Sequence, residues 1–178
     1  MAEDERLSVF SGFCHDFESF LVPLRDGKLH PNPDVCGLIV KGLDAIANDL
    51  DLLSSGQRPA GHADLRENFA RLSLVSTEIQ NGFLLFRVLR DIQGGSDADR
   101  FTEILTGEIE RKGKGAIIVV DLGGERKLSS LSLGAVLGFM GKVKRVVFLR
   151  PPVFMQTLMK RFNLEEQGVG ICLSLNDI

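Results

Sequence analysis

The sequence predicts an α/β protein: a sheet opened by a hairpin and continued by helical crossovers, preceded by a two-helix α-hairpin. Three observations carry this. Short apolar, β-branched runs alternate with segments of helical periodicity in the second half of the chain. Asn81-Gly82 separates two strand-like runs and is the strongest short hairpin signal. In the first half, Phe10, Phe13, Phe17, Phe20, Leu21 and Leu24 recur at steps of three and four, the stripe of an amphipathic helix.

The first helix is predicted to stop at Asp26-Gly27. The second begins after His30-Pro31-Asn32-Pro33. Asn32 suits the N-cap, Pro33 the first helical position, and Asp34 places negative charge in the first turn. Val35, Leu38, Ile39, Leu43, Ile46, Leu50 and Leu53 are its expected apolar face, and Ser54-Ser55-Gly56 its end. Two helices enclose no core by themselves, so their stripes call for a partner surface. A homodimer through these helices is one expected solution. The segment 57–71 reads as a linker.

Residues 72–80 and 83–90 form the expected hairpin. Ser96 and Asp99 resemble a capped helix start, continued by Phe101, Ile104, Leu105 and Ile109. Residues 116–122 lack alternation and are β-branched, as in a strand buried on both faces. A helix over 130–141, a strand over 145–149, a helix from Pro152 and a strand over 170–174 complete the order β-β-α-β-α-β-α-β. Helical crossovers imply parallel neighbours.

Composition excludes several classes of function. The chain has 178 residues, 44% hydrophobic and 25% charged, which fits an ordinary globular protein. Residues 1–60 hold five Lys/Arg against ten Asp/Glu, and residues 61–178 hold sixteen against fourteen. That balance does not call for nucleic acid. Lys142, Lys144 and Arg145 form only a small basic group with no aromatic platform. No apolar run is long enough to span a membrane, and the N-terminus lacks a signal-peptide pattern, so a cytoplasmic protein is expected. Cys14, Cys36 and Cys172 are dispersed and read as reduced thiols. His15, His30 and His62 stand in no metal-ligand spacing. Phosphate-loop, dinucleotide, zinc-protease and serine-hydrolase motifs are all missing. The expectation is a non-enzymatic protein with no cofactor.

The chemically suggestive stretch is AIIVVDLGGERKLSSLSLGAVLG, residues 116–138. A buried strand ends in Asp121, a polar loop follows, and Ser129, Ser130 and Ser132 cluster where an apolar helix begins. Backbone N–H groups and the helix dipole favour negative charge at such a position. A serine there is either an N-cap or a tolerated site of phosphorylation. Ser130 is the expected cap, with Ser129 its rival.

With these elements in order, residues 72–178 resemble a STAS domain, the fold of bacterial anti-sigma factor antagonists and of sulphate-transporter tails. The hairpin, the strand ending IVVDL, the loop, the serine at the helix start, L-G-A-V-L-G, VVFLRPP and NLEEQGVGICLS carry the resemblance. It implies that the loop–helix surface binds a partner, an anti-sigma factor that is also a serine kinase. It also implies that the serine aligned on L-G-A-V-L-G, Ser130, is phosphorylated. Ser129 stands where the family has Asp, and Ser132 where it has Gly. Gly123, Gly124, Lys127, Ser129, Ser130 and Ser132 are the implied partner-binding residues, with Ser130 and then Ser129 as phosphorylation candidates.

The segment FCHDFESFLVPLRDGKLHPNPDVCGLIVKGLDAIANDLDLLSSG is similar to the last two helices of the histidine phosphotransfer (HPt) domain of chemotaxis-type histidine kinases. His15, Glu18 and Arg25 fit that form. In the family the phosphorylated histidine lies on an earlier helix, so His15 is read as a packing or helix-face residue. The expected organisation is a helical hairpin over 1–56, a linker over 57–71 and a STAS-like domain over 72–178. The alternative reading keeps the fold but drops phosphorylation, leaving a dimeric scaffold in a signalling assembly.

Overall fold

Asn32 stands in extended conformation (φ −137°, ψ 171°), and its side chain accepts from the Val35 N–H at 2.9 Å. With Pro33 as the first helical residue, this starts α2, Pro33–Ser54, as the sequence implied. The computed structural model describes residues 2–112 and 115–178. The chain divides into two compact units, residues 1–73 and 74–178.

In the first unit α1, Ala2–Arg25, precedes α2. It closes at Gly27 (φ 67°), where the Lys28 N–H reaches the Pro23 carbonyl at 2.8 Å and the Gly27 N–H the Leu24 carbonyl at 3.1 Å. That bond pair satisfies carbonyls the helix end leaves over.

Most of the expected linker over 57–71 is helical: α3 runs Ala63–Leu74. Leu65, Phe69 and Leu72 are spaced by four and three, so the helical period was present in the sequence beneath an otherwise polar segment. Phe69 is buried, with its ring centroid 5.8 Å from Phe13, 5.2 Å from Phe17 and 5.0 Å from Phe20. Each buried Phe contributes on the order of 1.5–3 kcal/mol. The third helix thus closes a core that two helices could not.

The inward face of α2 also differs from expectation. Val35, Gly42, Ala45 and Asp49 are buried, whereas Leu43 and Leu50 are exposed along with Val40. Small residues point inward because α1 packs closely here. A Cβ on Gly42 would lie 2.5 Å from the Phe17 ring.

In the second unit β1, Val75–Gln80, and β2, Phe83–Val88, pair antiparallel, with Gln80 opposite Phe83. Asn81 (φ 49°) and Gly82 (φ 87°) form the two-residue turn between them. The expected strand residues Leu72, Ser73 and Leu74 belong instead to α3. Then follow α4, Ser96–Lys112; β3, Ile117–Asp121; α5, Ser130–Leu137; β4, Arg145–Leu149; α6, Val153–Arg161; and β5, Val169–Cys172. Ser96 is already the first helical residue of α4. A short 3₁₀ helix, Leu175–Asp177, takes up residues after β5, where Ser174 caps it rather than extending the strand.

The sheet order is β1-β2-β3-β4-β5, parallel from β2 onward. Each crossover advances one strand in the same direction, so right-handed connections put all three helices on one face. Packing agrees: Phe101, Leu105, Val136, Met155 and Met159 share a core with Leu84, Phe86, Ile118, Val120, Val146 and Phe148. The other face carries Phe83, Leu85, Val119, Val147, Leu149 and Cys172, with Leu175 and Ile178 packed against it.

Candidate functional site at the strand ends

Parallel strands deliver the loops after β2, β3 and β4 to one edge of the sheet, the edge where open α/β folds place ligands. At its centre is Asp121, the last residue of β3, which is 1% exposed. A carboxylate buried there needs partners. Its Oδ1 accepts from the Gly123 N–H at 2.9 Å and from Arg150 Nε at 3.1 Å, and Oδ2 accepts from Arg150 Nη2. Arg87 Nε lies 3.6 Å from Oδ2 and its Nη2 reaches Glu78 at 3.1 Å.

Arg150 fixes the loop through its backbone as well. Its N–H donates to the Cys172 carbonyl at 2.8 Å, and its carbonyl accepts from the Gly124 N–H at 2.7 Å. It does so at φ 49°, a left-handed conformation unusual for a long side chain. Gly123 (φ 60°) and Gly124 (φ 85°) supply the turn that returns the chain toward α5. Farther along, the Lys127 N–H donates to Asp91 Oδ1 at 3.1 Å. The Ile92 N–H donates to the Lys127 carbonyl at 2.9 Å, and the Ser129 N–H to the Ile92 carbonyl at 2.8 Å. The loop is therefore pinned on both sides before α5 begins.

The N-cap of α5 is Ser129, not Ser130. Ser129 has extended dihedrals (φ −64°, ψ 161°), and its Oγ accepts from the Ser132 N–H at 3.2 Å. Ser130 is already the first helical residue, and it is exposed. Ser132 is fully buried and its hydroxyl lies 2.9 Å from that of Ser129. Contrary to expectation, it therefore presents no side chain to a partner. Ser129 and Ser132 pair with each other: the short cap and the buried hydroxyl satisfy one another. α5 also ends earlier than expected, at Leu137, with residues through Met140 in tighter turns around Gly138.

Of the residues singled out from sequence, Gly123, Gly124, Lys127 and Ser130 lie exposed at this edge, and Ser129 is partly buried. Sequence reasoning missed the clasp of Asp121 by Arg150 and Arg87. The signal available was an acid closing an otherwise apolar buried strand, which demands a cation. It also missed Leu131, Val153, Phe154 and Leu173, which are exposed at the same strand ends.

The first unit holds a second polar cluster. Asp49 is 0% exposed and its Oδ1 accepts from the Ala60 N–H at 3.2 Å. His62 Nε2 lies 3.0 Å from Oδ1 but off the hydrogen-bonding direction, and Asp49 Oδ2 has no hydrogen bond among the described residues. A shallow hollow of about 270 Å³ beside it is lined by Ala60, His62, Ala63, Asp64 and Leu65. Burial pushes the Cys14 thiol up, and the charge of Asp49 pushes it further, so Cys14 is no activated nucleophile. His15 is exposed on α1, 3.5 Å from Asp16.

Among the described residues, no group of three or more His, Cys, Asp or Glu side chains is arranged to hold a metal, and no helix is long and apolar enough to cross a membrane. No family model, curated protein or solved structure matches the chain.

Proposed function

We propose that the chain is a non-enzymatic cytoplasmic regulator of the anti-sigma factor antagonist type, with a STAS-like second unit. It binds a protein partner, an anti-sigma factor or serine kinase, through the loop 123–130 and the first turn of α5. Phosphorylation of Ser130 switches that binding. The observation that carries this reading is the position of Ser130: a hydroxyl in the first turn of α5 at the protein surface, held by a loop anchored on Asp121 and Arg150. A phosphate adds about −1.5 to −2 charge, and a helix N-terminus accommodates it without unfolding the domain. The change then falls on partner affinity rather than on fold. The antiparallel hairpin followed by parallel crossovers supports the STAS-like assignment.

The test is incubation with ATP and a lysate fraction containing the candidate kinase, followed by phosphosite mapping. Phosphate on Ser130, with altered partner binding by a protein carrying phosphoserine at that position, supports the switch. An unmodified loop and indifferent Ser130→Ala and Ser130→Asp variants sink it.

A second reading, a dimeric scaffold without phosphorylation, is favoured by two observations. Ser129 supplies no carboxylate next to Ser130, and α2 exposes Val40, Leu43 and Leu50, at 51–57% each. Light scattering on wild type and a Leu43→Ser variant distinguishes a dimer built on that face.

A further inference from the structure

α2 is apolar on two opposite faces. One is buried within the first unit through Val35, Gly42 and Ala45, together with Asp49. The other carries Cys36, Val40, Leu43, Ala47, Leu50 and Ser54, all exposed, at alternating steps of four and three. Val40, Leu43 and Leu50 are each more than half exposed. All six stand on one helix, so they form a single continuous stripe, with the spacing of a two-stranded coiled-coil seam. A helix apolar on both sides is one that is covered on both sides.

The two flanks of the stripe differ, and they decide what fits it. Lys41, Asp44 and Asp51 run along one flank, exposed, and Ile39, Ile46 and Leu53 run along the other, half-buried. Of the remaining charges on α2, Asp49 is buried on the opposite face and Asp34 lies before the first residue of the stripe. Two copies of α2 related by a two-fold axis across the seam run antiparallel and bring like flanks together. The apolar flank then meets the apolar flank, and Lys41 of each copy lies beside Asp51 of the other. With the axis at the level of Ala45, Leu50 faces Val40 and Leu43 faces Ala47, so each leucine meets a smaller side chain. A parallel pair instead sets the acids of one copy against Ile39 and Ile46 of the other, and alanine against alanine. That arrangement desolvates charges without a partner and leaves a void.

We infer that the exposed face of α2 is the seam of an antiparallel homodimer with its axis at the level of Ala45. The inference rests on the dimeric reading above and adds its orientation and charge pairing; it does not depend on phosphorylation. α2 has 22 residues. A seam along that length, about 33 Å, buries on the order of 1,000 Å² in the pair, the small end of specific interfaces. The dimer is therefore reversible and concentration-dependent. Asp44 is the charge nearest its own copy across the axis and works against association.

The experiment is sedimentation velocity on the full chain over a concentration series, with charge-exchange variants and oxidative cross-linking. A reversible dimer is expected, weakened at least about tenfold by Leu43→Ser. Lys41→Asp and Asp51→Lys each weaken it, and the two substitutions together recover it, because this pair meets only in the antiparallel arrangement. The recovery also shows that the variants fold. Asp44→Asn strengthens the dimer. Oxidation of a Ser54→Cys variant links Cys36 to the new thiol at position 54 of the other copy, as mass spectrometry of the joined peptides records. A chain that stays monomeric throughout the series overturns the dimeric reading and this inference together. A dimer indifferent to Leu43→Ser, charge variants whose losses add without recovery, or a disulfide between the two Cys36 residues keeps the dimer and overturns the inference.

Discussion

The hydroxyl oxygens of Ser129 and Ser132 lie 2.9 Å apart, and Ser132 has no exposed surface. The cap of α5 and a buried polar group are therefore one structural unit. Ser129→Ala removes a cap worth about 1 kcal/mol. It also leaves the Ser132 hydroxyl buried without its partner, at a further cost on the order of 1–3 kcal/mol. Ser132→Ala removes the orphan along with the partner, so it costs less than Ser129→Ala, and the double variant costs less than the sum. Urea unfolding of the four proteins measures this coupling. Strictly additive effects would show that the two hydroxyls do not interact.

Arg150 combines a side chain that the buried Asp121 needs with a backbone conformation that arginine resists. Arg150→Ala loses charged hydrogen bonds worth roughly 1.5–3 kcal/mol and keeps the strained φ. Arg150→Gly loses the same bonds but relieves the left-handed conformation, recovering about 1 kcal/mol. Glycine is expected to be the milder substitution, read from chemical denaturation midpoints. An alanine variant as stable as the glycine variant would show that position 150 carries no strain.

The contact of Gly42 with Phe17 sets the approach of α1 to α2. Gly42→Ala drives a methyl to 2.5 Å from the ring. Alanine's better helix propensity, worth about 1 kcal/mol, works in the opposite direction. Overpacking of about 1–3 kcal/mol outweighs it. A lowered thermal midpoint is expected for Gly42→Ala, partly restored by Phe17→Leu in the same chain.

The three cysteines differ in reactivity. Cys36 is exposed, whereas burial raises the thiol pKa of both Cys14 and Cys172. Near neutral pH, iodoacetamide is expected to modify Cys36 first, as mass spectrometry of tryptic peptides would record. At alkaline pH the unfolded chain ionises these thiols before the folded protein does. It then binds fewer protons than the native state, and stability falls as pH rises through the ordinary thiol range. Replacing Cys14 and Cys172 by alanine is expected to flatten that alkaline decline.

Local chemistry in the sequence determined where several helices and turns begin and end. Asn32-Pro33 starts α2, Gly27 ends α1, and Asn81-Gly82 turns the hairpin, because each acts within a few residues of itself. Apolar β-branched runs marked the parallel strands and so their order, and β4 begins and ends where the sequence put it. Only the tertiary structure decided the relations that act across the chain. Phe69 joins the rings of Phe13, Phe17 and Phe20 and turns an expected linker into the helix that closes a core. Arg150 clasps Asp121 from the end of the next strand. Ser129 takes the cap while Ser130 is left in the first turn, because a cap is chosen by which hydroxyl can reach a backbone N–H. Periodicity and propensity fix the conformation of a segment. Which side chains share a core, a buried charge or a hydrogen bond depends on packing between residues far apart in the chain.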